Sequence, residues 1–215
     1  MKSGFKIHLI VSLLFTFFTI SNYTASGQQI HSASTRAYLN ELLSERHEKY
    51  LEFKTTENSP IDKELRADFR GLTYFEPDTS WVITARLKRF EKPDTLAMKT
   101  TTDRLPLYLI YGVAQFEIND TTLQLTVFRN IDLMKKPGYE NYLFIPFRDY
   151  TSGEQSYGGG RYLDAYLTDS DHLILDFNRA YNPYCVYSKR YSCPLTPDEN
   201  YLNTYVTAGE KNFDE

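Results

Sequence analysis

The spacing of apolar residues along this chain changes once, near residue 60. Between residues 34 and 54, Leu39, Leu42, Leu43, Tyr50 and Phe53 recur at helical spacing, while Arg36, Glu41, Glu45, Glu48 and Lys49 fill the other side. One apolar stripe on a 3.6-residue period predicts a helix over 34–54, capped by Ser34 or Thr35. His47 falls close to the stripe and is expected as a partly buried side chain rather than a ligand. Asn58-Ser59-Pro60 ends the element.

Beyond that point the period is two. Trp81, Ile83, Ala85 and Leu87 alternate with Val82, Thr84, Arg86 and Lys88. Ala114, Phe116 and Ile118 alternate with Val113, Gln115 and Glu117; after Asn119-Asp120, Leu123, Leu125 and Val127 alternate with Gln124 and Thr126. Two alternating runs around a short Asn-Asp turn predict a hairpin. Tyr142 to Phe147 and Leu173 to Leu175 are nearly all apolar and are expected as strands buried on both faces. Weaker strands are predicted over 161–167 and 203–207. The fold class is therefore mainly β with an N-terminal helix, an antiparallel β-barrel or sandwich. The pattern leaves barrel and sandwich open, and eighteen tyrosines suit either.

The first residues read as an address. Lys2 and Lys6 precede an apolar run from Ile7 to Ile20, and Ala25-Ser26-Gly27 supplies small residues for a cut after Gly27. This predicts a cleaved secretory signal peptide over 1–27 and a single β-rich domain over 28–215. The rival, a retained anchor, needs about 20 apolar residues. No cysteine lies near the cut, so the exported protein, periplasmic or secreted, is not expected to be a lipoprotein. The net charge of −4 becomes more negative once two lysines leave with the leader, which argues against nucleic acid as a partner. No second long apolar run follows, so no membrane insertion is expected after leader removal.

Cys185 and Cys193 are the only cysteines. In an exported chain the first reading is a disulfide closing a short loop, contributing ~2–3 kcal/mol. Free thiols and a metal site are the alternatives; none of His8, His31, His47 and His172 falls in that loop, so no metal site and no cofactor are expected.

Two segments leave simple alternation. "FIPFRDYTSGEQSYGGGRYLD" covers 144–164 and "LDFNRAYNPYCVYSKRYSCPLTPDEN" covers 175–200. Each runs from an apolar strand into a polar loop, where binding residues commonly sit. In the first, the amides of Gly159 and Gly160 can form a nest for an anion, with Arg161 as a clamp and Asp149, Glu154 and Tyr157 around it. The alternative is that the glycines serve a tight chain crossing, with Arg161 pairing Asp149, Glu154 or Asp176. In the second, alternation puts Asp176 and Asn178 on one face, and Asn182 precedes Pro183. These residues can orient a ligand, or satisfy backbone groups in an irregular loop. Asp176 is expected to pair with Arg161. A third loop, "KTTTDR" at 99–104, is expected as a solvated connection.

There is no Gly-x-Ser-x-Gly, and His172 has no evident nucleophile to serve, so Ser-His-Asp and Cys-His chemistry are disfavoured. Hydrolysis by paired carboxylates among Asp149, Glu154 and Asp176 is the enzymatic alternative, and an interaction module with no small-molecule site is the other. The leading expectation is a protein that binds a small polar or anionic ligand between 149–161 and 176–182.

These segments, with "TTTDR" and "FRGLTYF" ahead of them, resemble the domain-of-unknown-function 1684 family from about Tyr38 to Lys211. The resemblance rests on the phenylalanine-rich strand into Asp149, Gly153-Glu154, Tyr157 and Gly160-Arg161. It continues through Asp176-Phe177-Asn178, Ala180 to Pro183, Cys185, Cys193-Pro194, Pro197 and Glu199-Asn200. Ser156 stands where threonine is expected and Val186 where alanine is expected. The resemblance implies no activity; it implies that the polar cluster belongs to a shared design.

Overall fold

The computed structural model describes the backbone of residues 11–213 and side chains from residue 33 onward. The leader predicted over 1–27 lies outside the residues with described side chains. Among the described residues, no helix is long and apolar enough to cross a membrane. The chain divides into two compact units, Met1–Glu45 and Arg46–Glu215.

The predicted helix is part of a longer one, α1 (Val11–Thr55). It runs continuously through Ser34 and Thr35, so neither caps it. It stops as expected before Asn58-Ser59-Pro60, where the Ser59 hydroxyl donates to the Phe53 carbonyl and accepts from Ile61 N–H at 3.0 Å. Those bonds satisfy groups that the last helical turn leaves without partners. Within the second unit, Phe53 packs with Ile61, Phe69 and Tyr187. His47 is exposed rather than partly buried, and its ring stacks on Tyr50 at 6.2 Å.

Eight strands follow: β1 (Val82–Arg89), β2 (Thr95–Ala97), β3 (Leu107–Ile118), β4 (Thr121–Asn130), β5 (Tyr142–Asp149), β6 (Arg161–Tyr166), β7 (His172–Asp176) and β8 (Tyr201–Leu202). They form one sheet in the order β6-β5-β4-β3-β1-β7, with β2 on β3 and the two-residue β8 parallel to β5. The edge strands β6 and β7 approach each other, so the antiparallel sheet curls into a nearly closed barrel. Asn119 and Asp120 both have positive φ, 48° and 59°, which makes the β3–β4 connection a two-residue loop matched to strand twist. No strand forms over 203–207. That stretch lends its backbone to buried side chains instead, as described below.

The alternation seen in the sequence decides the interior. Ala85, Leu87, Ala114, Phe116, Leu125, Val127, Leu143, Ile145 and Phe147 fill the barrel core with Phe177. Full burial of each large side chain contributes ~1.5–3 kcal/mol. The expectation that β5 is buried on both faces holds: Leu143, Ile145 and Phe147 face the barrel, while Phe144 packs outside with Tyr108, Phe128, Tyr162 and Met98. For β7 it does not hold, because Leu173 and Leu175 are buried but Ile174 is exposed.

The outer cluster depends on an irregularity in β3. The register with β4 shifts between Ile110 and Gly112, so one extra residue, Tyr111, changes which parity faces inward. Before it Tyr108 and Ile110 face the outer cluster; after it Ala114 and Phe116 face the barrel. Gly112 then allows β1 to come close, since a Cβ there would lie 2.5 Å from the Lys88 carbonyl oxygen.

Candidate functional site

Arg161 opens β6 with its side chain pointing into the barrel end, fully buried. Its Nη2 donates to Asp149 Oδ2 at 2.9 Å and to the Val206 carbonyl at 2.9 Å; its Nη1 donates to the carbonyls of Ala208 and Glu210. The guanidinium also lies over the rings of Phe147 and Phe75, at 5.2 and 5.6 Å. Burial pulls it below its ordinary pKa, and the Asp149 carboxylate opposes that. Asp149 is equally enclosed, and its Oδ1 accepts from Thr151 N–H at 2.7 Å and Val206 N–H at 3.2 Å. One ion pair thus holds the end of β5, the start of β6 and the 206–210 backbone together.

The expected pairing of Arg161 with Asp176 is therefore corrected. Asp176 ends β7 and pairs with Arg179, three residues on, because a short 3-10 turn at Phe177–Arg179 brings that side chain back. Asn178 uses its amide as a strand would: Oδ1 accepts from Asp78 N–H at 3.0 Å and Nδ2 donates to the Asp78 carbonyl at 2.8 Å. Asn200 does the same to Thr126, at 2.8 and 2.9 Å, and also donates to the Pro146 carbonyl. Asn182 donates its N–H to Glu210 Oε2 at 2.8 Å and its Nδ2 to the Lys211 carbonyl at 2.8 Å. Glu210, which the sequence reading did not single out, is buried and also receives Lys49 Nζ at 2.6 Å and the Tyr187 hydroxyl at 2.7 Å.

The glycine run is folded as turns. Gly153 N–H donates to the Ser156 carbonyl and Gly160 N–H to the Tyr157 carbonyl. Gly160 has φ +95°, and a Cβ there would lie 2.5 Å from both the Phe147 carbonyl oxygen and Thr196 Oγ1. Gly159 is exposed and lies against the Tyr157 ring. The disulfide is corrected as well: Cys185 and Cys193 are free thiols, and the loop seats the Cys193 sulfur 3.2 Å from the Cys185 amide. Hydrogen bonding from the Cys193 thiol draws the Cys185 thiol below its ordinary pKa, while the same contact and burial push Cys193 up. In the 99–104 loop Lys99 and the residues from Thr101 to Arg104 are exposed, as expected of a solvated connection, and one residue is not. Thr100 is buried and its hydroxyl donates to the Arg104 carbonyl at 2.7 Å, while Arg104 donates to the Ser192 carbonyl at 2.6 Å.

Of the residues singled out from sequence, Glu154 reaches an open recess. This recess, of about 550 Å³, is lined by Thr73, Tyr74, Glu154, Gln155, Lys211 and Asn212. Its walls are tied together by backbone bonds from Lys211 N–H to the Thr73 carbonyl (2.9 Å) and Asn212 N–H to the Gln155 carbonyl (3.0 Å). The Thr73 hydroxyl donates to the Asn212 carbonyl, and Asn212 Nδ2 donates to the Glu154 carbonyl, both at 2.9 Å. Behind the wall lies the Arg161 network, since Glu210 precedes Lys211 directly. Burial, and next the Glu210 carboxylate, hold the Tyr74 phenol above its ordinary range. Neither Glu154 nor Lys211 has an ion-pair partner among the described residues; the Lys211 ammonium lies 5.0 Å from the Phe75 ring centroid.

A nearly closed antiparallel barrel with a buried arginine staple and a polar recess whose walls are hydrogen-bonded together is the class of protein these features define. The chain belongs to the family described as "Protein of unknown function (DUF1684)", whose model matches residues 67–211. It is similar to the solution NMR structure of an uncharacterized protein of Haloarcula marismortui, with 39% identity, a TM-score of 0.63, and coverage of 83% of this chain and 96% of that one. No curated protein matches the chain.

Proposed function

We propose that this protein binds a small polar ligand carrying an acidic group in the recess between Thr73-Tyr74, Glu154-Gln155 and Lys211-Asn212. The observation that carries this reading is a pair of opposite charges, Lys211 and Glu154, left without ion-pair partners on walls that are otherwise hydrogen-bonded into place. Lys211 meets the ligand's anionic group, and Glu154 accepts from its hydroxyl or amine donors. The 149–161 segment contributes Glu154 directly; Asp149 and Arg161 act from behind by holding 206–210 in position. Asn182 does the same for Lys211, through its backbone carbonyl. Binding is favoured over hydrolysis because the recess presents one carboxylate, where a paired-carboxylate reaction needs two.

A thermal-shift and calorimetric screen against hydroxycarboxylates and amino acids tests this. At least one should bind, and Lys211→Ala should weaken it tenfold or more while the protein stays folded. Binding that survives Lys211→Ala, or no binding across the screen, overturns the reading. Export belongs to the same proposal and rests on the Lys2/Lys6, Ile7–Ile20 and Ala25-Ser26-Gly27 pattern. N-terminal sequencing of the protein from the producing cell should begin at Gln28.

A further inference from the structure

A second constellation lies on the outer face of β5 and β6, apart from the recess. Asp164 is flanked along β6 by Tyr162 and Tyr166, the neighbours at two residues' spacing that share its face. Across the ladder it stands opposite Phe144, and Tyr166 stands opposite Tyr142. Tyr181 joins from the segment that bridges to Tyr162. The result is a carboxylate set among aromatic rings, several of them at steep angles: Tyr142 to Tyr166 at 5.9 Å and 67°, Tyr139 to Tyr142 at 5.8 Å and 78°.

The two carboxylate oxygens are used unequally. Oδ1 accepts from the Tyr142 hydroxyl at 2.7 Å and from the Tyr181 hydroxyl at 2.9 Å. Oδ2 has no hydrogen-bond partner among the described residues, and Asp164 remains open to solvent despite the crowding around its carboxylate. No ion pair to Asp164 exists among the described residues. The nearby ammonium of Lys49 is committed to Glu210 at 2.6 Å, and lies 5.1 Å from the Tyr181 ring. The chain therefore already places one of its own ammonium groups over an aromatic face of this cluster, and leaves the adjacent carboxylate unneutralised. Both tyrosine hydroxyls stay protonated at neutral pH, since burial raises their pKa values, so they donate to Oδ1 and leave Oδ2 without a donor.

We propose that Asp164, with Tyr142, Tyr166 and Tyr181 around it, is a binding site for an organic ammonium group. Ring faces attract a cation through their quadrupoles, and alkyl substituents on the nitrogen add apolar contact. Oδ2 supplies the opposite charge. A neutral polyol would use the same rings and the same oxygen, but would gain little from the charge.

The test uses choline, its uncharged carbon isostere 3,3-dimethylbutan-1-ol, and methyl glucoside as probes, followed by NMR of the tyrosine rings. Choline should shift the Tyr142 and Tyr166 resonances and bind at least tenfold tighter than the isostere. Asp164→Asn, which can still accept from both tyrosines, should lose that tenfold preference, and Lys211→Ala should leave it intact. Acidification that protonates Asp164 should weaken choline in the wild type and not in Asp164→Asn. Equal binding of choline and its isostere, or methyl glucoside in preference to both, overturns the charge assignment. No shift of these rings with any probe overturns the site.

Discussion

Arg161 and Asp149 meet at 2.9 Å with no solvent exposure on either side chain, and four of the acceptors around that guanidinium come from Asp149 and the backbone of residues 206–210. The pair is a staple that joins a strand end to a segment with no strand of its own. Arg161→Ala should destabilise the fold by about 3–5 kcal/mol, because it leaves the buried Asp149 carboxylate without its counter-charge and several carbonyls without donors. Arg161→Lys should recover less than half of that loss, since one ammonium cannot reproduce the forked geometry. Urea unfolding midpoints of the three proteins measure both; a loss under about 1 kcal/mol for the alanine variant would contradict the staple.

Two glycines separate backbone strain from steric fit. Gly138 and Gly160 both have positive φ, +86° and +95°, but a Cβ at Gly138 meets nothing within 4 Å while one at Gly160 meets two oxygens at 2.5 Å. Gly138→Ala should cost about 1 kcal/mol, the backbone term alone. Gly160→Ala should cost at least ~2 kcal/mol more, as the β5 end and Thr196 are forced apart. Similar thermal midpoints for the two variants would show that the Gly160 crossing relaxes freely.

Asp164 carries a pH signature. Burial holds its carboxyl above the ordinary range, against lowering by the Tyr142 and Tyr181 hydroxyls and Lys49; Tyr166 and Tyr184 are its other titratable neighbours. The native protein keeps this proton at pH values where the unfolded chain has released it. Its contribution is fully present below the unfolded value and is lost as pH rises through the raised native one. Relative to Asp164→Asn, the wild type should therefore lose stability as pH rises from about 4 towards neutrality. Paired urea titrations across that range check the sign.

The two thiols should differ in reactivity. Cys185 is half-exposed with its pKa lowered, and Cys193 is buried with its pKa raised. Iodoacetamide at neutral pH should modify Cys185 at least tenfold faster, because the thiolate is the nucleophile. Peptide mass mapping of the native protein reads this directly, and equal labelling would overturn it.

The period of two in Ala85–Leu87, Ala114–Phe116 and Leu125–Val127 was enough to predict an antiparallel β fold, because half-buried strands must alternate. The helix end at Asn58-Ser59-Pro60 and the Asn119-Asp120 hairpin were equally legible, since their causes are local. The same locality explains the misses. Nothing near Val206 in sequence says that its backbone will serve Asp149 and Arg161, so 203–207 looked like a strand. The extra residue at Tyr111 could not be seen without its partner β4, and it decides which side of β3 faces the outer cluster. The polar segments around Arg161 and Asp176 were visible as departures from alternation. Which acid meets Arg161 was not, because ion pairing depends on where chain ends converge. Asp164 was hidden for the opposite reason: as an exposed acid in a regular strand it breaks no pattern. Sequence by itself determined the strand faces, the turns and the residue types available for chemistry, which are set by neighbours along the chain. The tertiary structure alone decided that Arg161 is enclosed, that Lys211 and Glu154 share a recess, and that Asp164 lies among tyrosines, because those distances depend on how the sheet closes.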